Sequence, residues 1–247
     1  MLLIQGVGVH GDGWLPQTSE LSSRFQCLWF DNRGMGKSQP VGAPVTVEQM
    51  AGDAAALMDA CGWRSAHLVG HSLGGLVAQH LALTDRPRVK SLALICTFAR
   101  GRDVGRSGRM VWLGMRTRIG TRRMKRRAFL EMVMPPDALR GADRDRLAET
   151  LRPLFGHDLA EHPAIVMPQL RALAAYDSTP RLGELAGLPT LVVSASHDPV
   201  AEPRFGEALA RGIPGARFEC LTGASHGVTI HDPGRINDLL SKHFARV

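Results

Sequence analysis

Short apolar runs mark both ends of the chain. Leu2–Gly6, Cys27–Phe30, Ala66–Val69, Lys90–Ile95, Thr190–Ser194 and Arg217–Leu221 are mostly continuous in apolar side chains rather than alternating. That is the pattern of strands covered on both faces. Between them, Val47–Cys61, Gly74–Thr84, Pro203–Arg211 and Pro233–Phe244 have a helical period. Gly62 falls where a helix should stop, and Pro233 just inside the start of one. Strands alternating with helices predict an α/β fold with a doubly wound, mostly parallel sheet.

From Ala99 to Pro180 the pattern changes. The segment is rich in Arg and Met, helical in period, and contains no convincing strand. A structureless loop of that length is improbable in a compact domain. The segment is therefore expected to be a helical cap inserted between two strands. This divides the chain into a first core part (1–98), the cap (99–180) and a second core part (181–247).

Composition adds limits. At 247 residues and 44% hydrophobic, the chain can bury a full core without staples. Cys27, Cys61, Cys96 and Cys220 lack metal-ligand spacing and are expected to be reduced and buried. No stretch approaches the ~18 apolar residues of a membrane span, and no basic-then-apolar leader appears. A cytoplasmic protein is expected.

Charge sharpens the picture at one place. The formal net charge is +7, and eleven basic residues lie between Arg100 and Arg127 with one acid, Asp103. They are Arg100, Arg102, Arg106, Arg109, Arg116, Arg118, Arg122, Arg123, Lys125, Arg126 and Arg127. The rest of the chain is net acidic. Three readings fit: a solvated helical face, steering of an anionic substrate or acidic carrier protein, or docking to anionic lipid. A single aromatic among the arginines, with no recognition motif, argues against nucleic acid.

The chemistry is carried by Gly70-His71-Ser72-Leu73-Gly74, a G-x-S-x-G sequence that ends a predicted strand and opens a helix. Flanking glycines let strand and helix approach on a strained turn, lifting the Ser72 hydroxyl above the sheet. The turn also aims the Leu73 N–H, at a helix start, toward a developing oxyanion. A serine hydroxyl needs an adjacent base. His226 lies in a Gly-rich loop after the last predicted strand, on the sheet edge where Ser72 also sits. Asp198 follows the strand Thr190–Ser194 and can orient that imidazole. Of the other candidates, His231 is read as a helix cap before Asp232-Pro233. His71 is read as packing beneath the elbow, and Asp31 as bracing its loop through Arg33.

Taken together, these motifs resemble the α/β-hydrolase superfamily over nearly the whole chain. Gly70–Gly75 looks like its nucleophile elbow, and Asp31-Asn32-Arg33-Gly34-Met35-Gly36-Lys37-Ser38 like its D-x-R-G-x-G-x-S loop. Ser194–Val200 and Gly223–His226 look like the segments that present its acid and its histidine, in the family's order Ser…Asp…His. The resemblance implies a catalytic triad of Ser72, Asp198 and His226. It also implies that the Val7 N–H joins the Leu73 N–H in the oxyanion hole, with Gln5 where the family has histidine. Asp103 is the alternative acid, because some members place it there. The family usually has two further strands before Leu2–Gly6. Without them Cys27–Phe30 becomes an edge strand, and a partner subunit in a homodimer or other chain is expected to cover it.

Caps of this family shape the acyl pocket, so Met110, Trp112 and Met115, with His10 from the core, are candidate pocket residues. Tyr176-Asp177, Leu185, Leu188–Leu191 and Ile213–Ala216 look like the enol-lactonase and related esterase branch. The expected function is hydrolysis of a small-molecule carboxylic ester through an acyl-enzyme, with no metal or organic cofactor. The alternatives are lactone hydrolysis, thioester hydrolysis at a carrier protein, and ligand binding without turnover.

Overall fold

In the computed structural model, residues 1–38, 44–104 and 107–247 are described. Leu2, Leu3 and Ile4 are wholly inaccessible. Such a run tolerates no solvent face, and the strand it forms, β1 (Leu2–Ile4), lies inside a six-stranded parallel sheet. The others are β2 (Leu28–Trp29), β3 (Ala66–His71), β4 (Val89–Ile95), β5 (Thr190–Ala195) and β6 (Arg217–Leu221), in the order β2-β1-β3-β4-β5-β6. The edge strand expected over Cys27–Phe30 is shorter, because only Leu28 and Trp29 pair, with Leu2 and Leu3. The chain winds outward from β1 to β2, then returns to place β3 on β1's other side. Strand order therefore reverses between β1 and β3, where open α/β sheets leave a crevice at the strands' carboxyl ends.

Helices α1 (Leu15–Leu21), α2 (Val47–Ala60) and α3 (Leu73–Thr84) belong to the first part of the core. Thr46 starts α2 by accepting the Gln49 N–H at 3.1 Å, and Gly62 follows its end with φ +68°. The chain then leaves β4 and forms α4 (Gly108–Arg116), α5 (Arg122–Val133), α6 (Pro136–Leu139), α7 (Arg144–Phe155) and α8 (Val166–Ala175) before β5. This insert is closed at its neck by an antiparallel bridge between Arg100 and Asp177. Leu130, Val133, Leu151, Phe155 and Leu159 give it an apolar core of its own. The chain ends with α9 (Pro203–Gly212), α10 (Val228–His231) and α11 (Pro233–Phe244).

The basic stretch is not simply a solvated face. Arg116 pairs with Glu131 at 3.1 Å, Arg123 with Asp145 at 2.8 Å and Arg100 with Asp103 at 2.7 Å. Arg122 and Arg126 converge on the buried Asp158, which also accepts the Ala160 N–H at 2.8 Å. A carboxylate removed from water requires such partners. Arg106 lies outside the described residues.

Several local expectations change. Only Cys96 is buried; Cys27 is half-buried, while Cys61 and Cys220 are exposed. Cys61 sits just past the end of α2, and Cys220 faces outward on β6, which has a neighbour on one side only. Arg33 pairs with Asp53 rather than Asp31. Asp31 instead accepts the Gly11 and Lys37 N–H groups at 2.8 and 3.1 Å. Among the described residues, no helix is long and apolar enough to cross a membrane.

Candidate active site

Ser72 leaves β3 with φ 54° and ψ −120°, a conformation that costs energy for any residue with a Cβ. The turn is possible because its neighbours are bare. A Cβ on Gly70 would lie 2.4 Å from the Gly74 carbonyl oxygen, and one on Gly74 2.0 Å from that of Ile4. Hydrogen bonds pin the turn: the Ser72 N–H donates to Ile95 at 3.0 Å, and the Thr97 hydroxyl to the Ser72 carbonyl at 2.7 Å.

His226 comes from the loop after β6. Its Nε2 lies 3.2 Å from Ser72 Oγ and its Nδ1 2.7 Å from Asp198 Oδ2. Asp198 follows β5, and its other oxygen accepts the Val200 and Ala201 N–H groups at 2.8 and 2.9 Å. Burial alone would raise this carboxyl's pKa. The His226 imidazole and the two backbone donors outweigh it and hold the group below its ordinary range. An ionised Asp198 accepts a proton-bearing Nδ1, which leaves the Nε2 lone pair facing the Ser72 hydroxyl. Asp103, the alternative acid, is held by Arg100.

His71 lies under this arrangement. Burial, with His226 close by, lowers its pKa to about 3, so the ring is neutral. Its Nε2 donates to the His226 carbonyl at 2.9 Å. His231 does not serve as a helix cap: its Nε2 accepts the Ser225 N–H at 3.1 Å and so braces the same loop. His71, Cys96 and His226 are the one group of side chains with metal-like spacing among the described residues, their ligand atoms lying within 4.8 Å of one another. Both His226 nitrogens are engaged, and burial keeps the Cys96 thiol protonated.

Opposite His226 runs the loop after β1. Gln5 Oε1 accepts the Gly6 N–H at 3.0 Å, and Asn32 donates to the Gln5 carbonyl at 2.8 Å. Among the described residues, neither the Val7 nor the Leu73 N–H has a protein acceptor. The model of the alpha/beta hydrolase fold family matches residues 1–233. The chain belongs to that family.

Relatives of this hydrolase span most of its length. The protein named carbamate hydrolase RutD from Caulobacter segnis is 31% identical over 98% of this chain and 90% of its own. The enol-lactonase from Burkholderia xenovorans LB400 superimposes with a TM-score of 0.82 at 29% identity, over 99% of this chain and 90% of that one. A thermophilic esterase from Thermogutta terrifontis gives 0.80 at 27% identity, over 99% and 89%.

The insert roofs a cavity of about 550 Å³ that exposes Ser72, His226 and Val7 at its floor. Met110 and Met115 line it, whereas Trp112 and His10 do not. Trp112 lies half-exposed on the outer face of α4 beneath the Arg116 guanidinium, 4.4 Å from the ring. His10 packs instead against Gly156, where a Cβ would lie 2.1 Å from its ring. Most of the hydrolase's remaining wall is apolar and includes Phe129, Met132, Phe155 and Leu173.

Two residues of the insert escaped the sequence reading. Gln169 on α8 accepts the Gly8 N–H at 2.9 Å, and His157 donates to the Gly8 carbonyl at 2.8 Å. A glutamine on the apolar face of α8 was the available sign for Gln169. His157 carried no sign.

Proposed function

We propose that the protein is a serine hydrolase of carboxylic esters, with the 99–180 insert as its cap. One observation carries this reading: the continuous path Asp198–His226–Ser72, with both contacts inside hydrogen-bond reach. His226 Nε2 takes the Ser72 proton as Oγ attacks the ester carbonyl. The Val7 and Leu73 N–H groups hold the resulting oxyanion. The carbonyl–alkoxy bond then breaks, and the alcohol leaves with the proton from His226. Water, deprotonated by the same imidazole, attacks the acyl-enzyme and releases the acid and free Ser72.

A lactone is a cyclic ester and would pass through the same steps. The overall likeness to the enol-lactonase supports that substrate as a second reading. The test is hydrolysis of p-nitrophenyl esters from acetate to long chain, with a lactone and a carbamate alongside, by wild type and Ser72→Ala. Turnover that disappears in the variant upholds the mechanism. Equal turnover by both overturns it, and the chain-length profile sizes the cavity.

A further inference from the structure

The basic stretch separates into two sets. One set is used up inside the insert, in the pairs with Asp103, Glu131, Asp145, Glu149 and Asp158. The other, Arg106 aside, forms no ion pair among the described residues, and of its described members Arg102 and Arg118 line the cavity. Arg102 sits on the turn just inside the neck, and Arg118 on the turn after α4. Arg118 Nη2 contacts Met167 Sδ at 2.8 Å, a thioether and so a weak acceptor for a guanidinium. Among the described residues, no aspartate or glutamate lines the cavity. The space between Ser72 and the two cations is therefore largely apolar, and Asp177, which feels the Arg102 charge, lies at the neck outside its lining.

We propose that Arg102 and Arg118 form an anion subsite that selects esters or lactones bearing a carboxylate away from the scissile bond. The inference rests on the esterase reading of Ser72. Apolar walls take the chain of such a substrate, and its carboxylate reaches guanidinium groups that can hold it with charge-assisted hydrogen bonds. Both arginines are exposed, so the attraction is open to screening by salt.

The experiment compares two p-nitrophenyl esters of equal chain length, mono-p-nitrophenyl adipate and p-nitrophenyl hexanoate. Wild type should prefer the anionic ester by about 10- to 100-fold in kcat/KM, mainly through KM. The preference should shrink as KCl is raised. In Arg102→Met/Arg118→Met it should fall to within about threefold of one, and Arg102→Lys/Arg118→Lys should restore part of it. Arg109→Met removes an unpaired cation on α4 outside the cavity and should keep the preference. A wild-type ratio at or below one overturns the subsite, as does a ratio the double Met variant leaves unchanged. Equal loss in Arg109→Met also overturns it, since diffuse attraction would then suffice. Calorimetric binding of adipate to Ser72→Ala separates the two claims. Binding abolished by the double Met change upholds the subsite even if no ester turns over, and no binding overturns it.

Discussion

The Gln169 side-chain oxygen accepts the Gly8 N–H at 2.9 Å, so a helix of the insert holds the loop that carries Val7. His157 holds the same residue from its carbonyl side, through the next peptide unit. The insert thus does more than cover Ser72; it sets the direction of a proposed oxyanion donor. Gln169→Leu should lower kcat about tenfold or more with little change in KM, because a displaced donor acts only on the transition state. Affinity for a boronic acid should fall in parallel with kcat, while affinity for the product acid stays. Gln169→Glu keeps an acceptor facing Gly8 and should lose less.

Asp198 is wholly buried and engages both a ring nitrogen and two backbone donors. Asp198→Asn should keep the fold and lower kcat by about 10⁴-fold, since the amide no longer fixes the productive tautomer of His226. Retention of the circular-dichroism spectrum with a small residual rate would check it. A loss under tenfold would transfer the orienting role elsewhere.

Acid should weaken the fold through its neutral histidines. Burial lowers the pKa of His71 to about 3 and that of His67 to about 4. Unfolded, both titrate near 6.5, the ordinary value for histidine. Below that pH the unfolded chain binds protons that the folded one refuses, so their stabilising contribution is lost as pH falls toward the folded values. The slope is at most about 1.4 kcal/mol per pH unit for buried His71 and smaller for half-buried His67, which water screens. Urea midpoints between pH 7 and 5 should fall, and His67→Gln should flatten the slope by about one proton.

The Asp158 carboxylate carries the insert's charge pairing, so its removal should loosen that layer first. Asp158→Asn leaves the largely buried Arg126 with Glu149 as its one anionic partner and should cost about 2 to 3 kcal/mol. Asp158 is held well below the usual carboxylate range by Arg126 and Arg122. Its stabilisation is present above the unfolded pKa and disappears as pH falls through the folded one. Hydrogen exchange should show α5 and α7 opening before the sheet. Uniform exchange across both layers would count against this.

Most of the sheet was legible in the sequence because buried parallel strands advertise themselves as unbroken apolar runs. Leu2–Ile4 and Thr190–Ala195 are buried throughout and lie where the pattern places them. Ser72, Asp198 and His226 were findable because each follows a predicted strand and so meets the others at one edge. The insert was less legible. Its packing rests on charged pairs such as Arg126 with Asp158, separated by 32 residues, and a count of arginines does not reveal which have partners. Trp112 and His10 misled for a related reason. Composition places a residue on an element, but only packing decides which way it turns.

Of the hydrogen bonds that join the layer that shapes the cavity to the layer that carries the reactive groups, two stand beside the reactive residues. Gln169 reaches the loop after β1, and the Gly227 N–H reaches the Val133 carbonyl at 2.8 Å, next to His226. A graft that exchanged the 99–180 segment for a relative's would therefore not transplant selectivity alone. It would import half of each clamp as well, and a chimera that ignored both joints would inherit a new pocket above a misaligned engine.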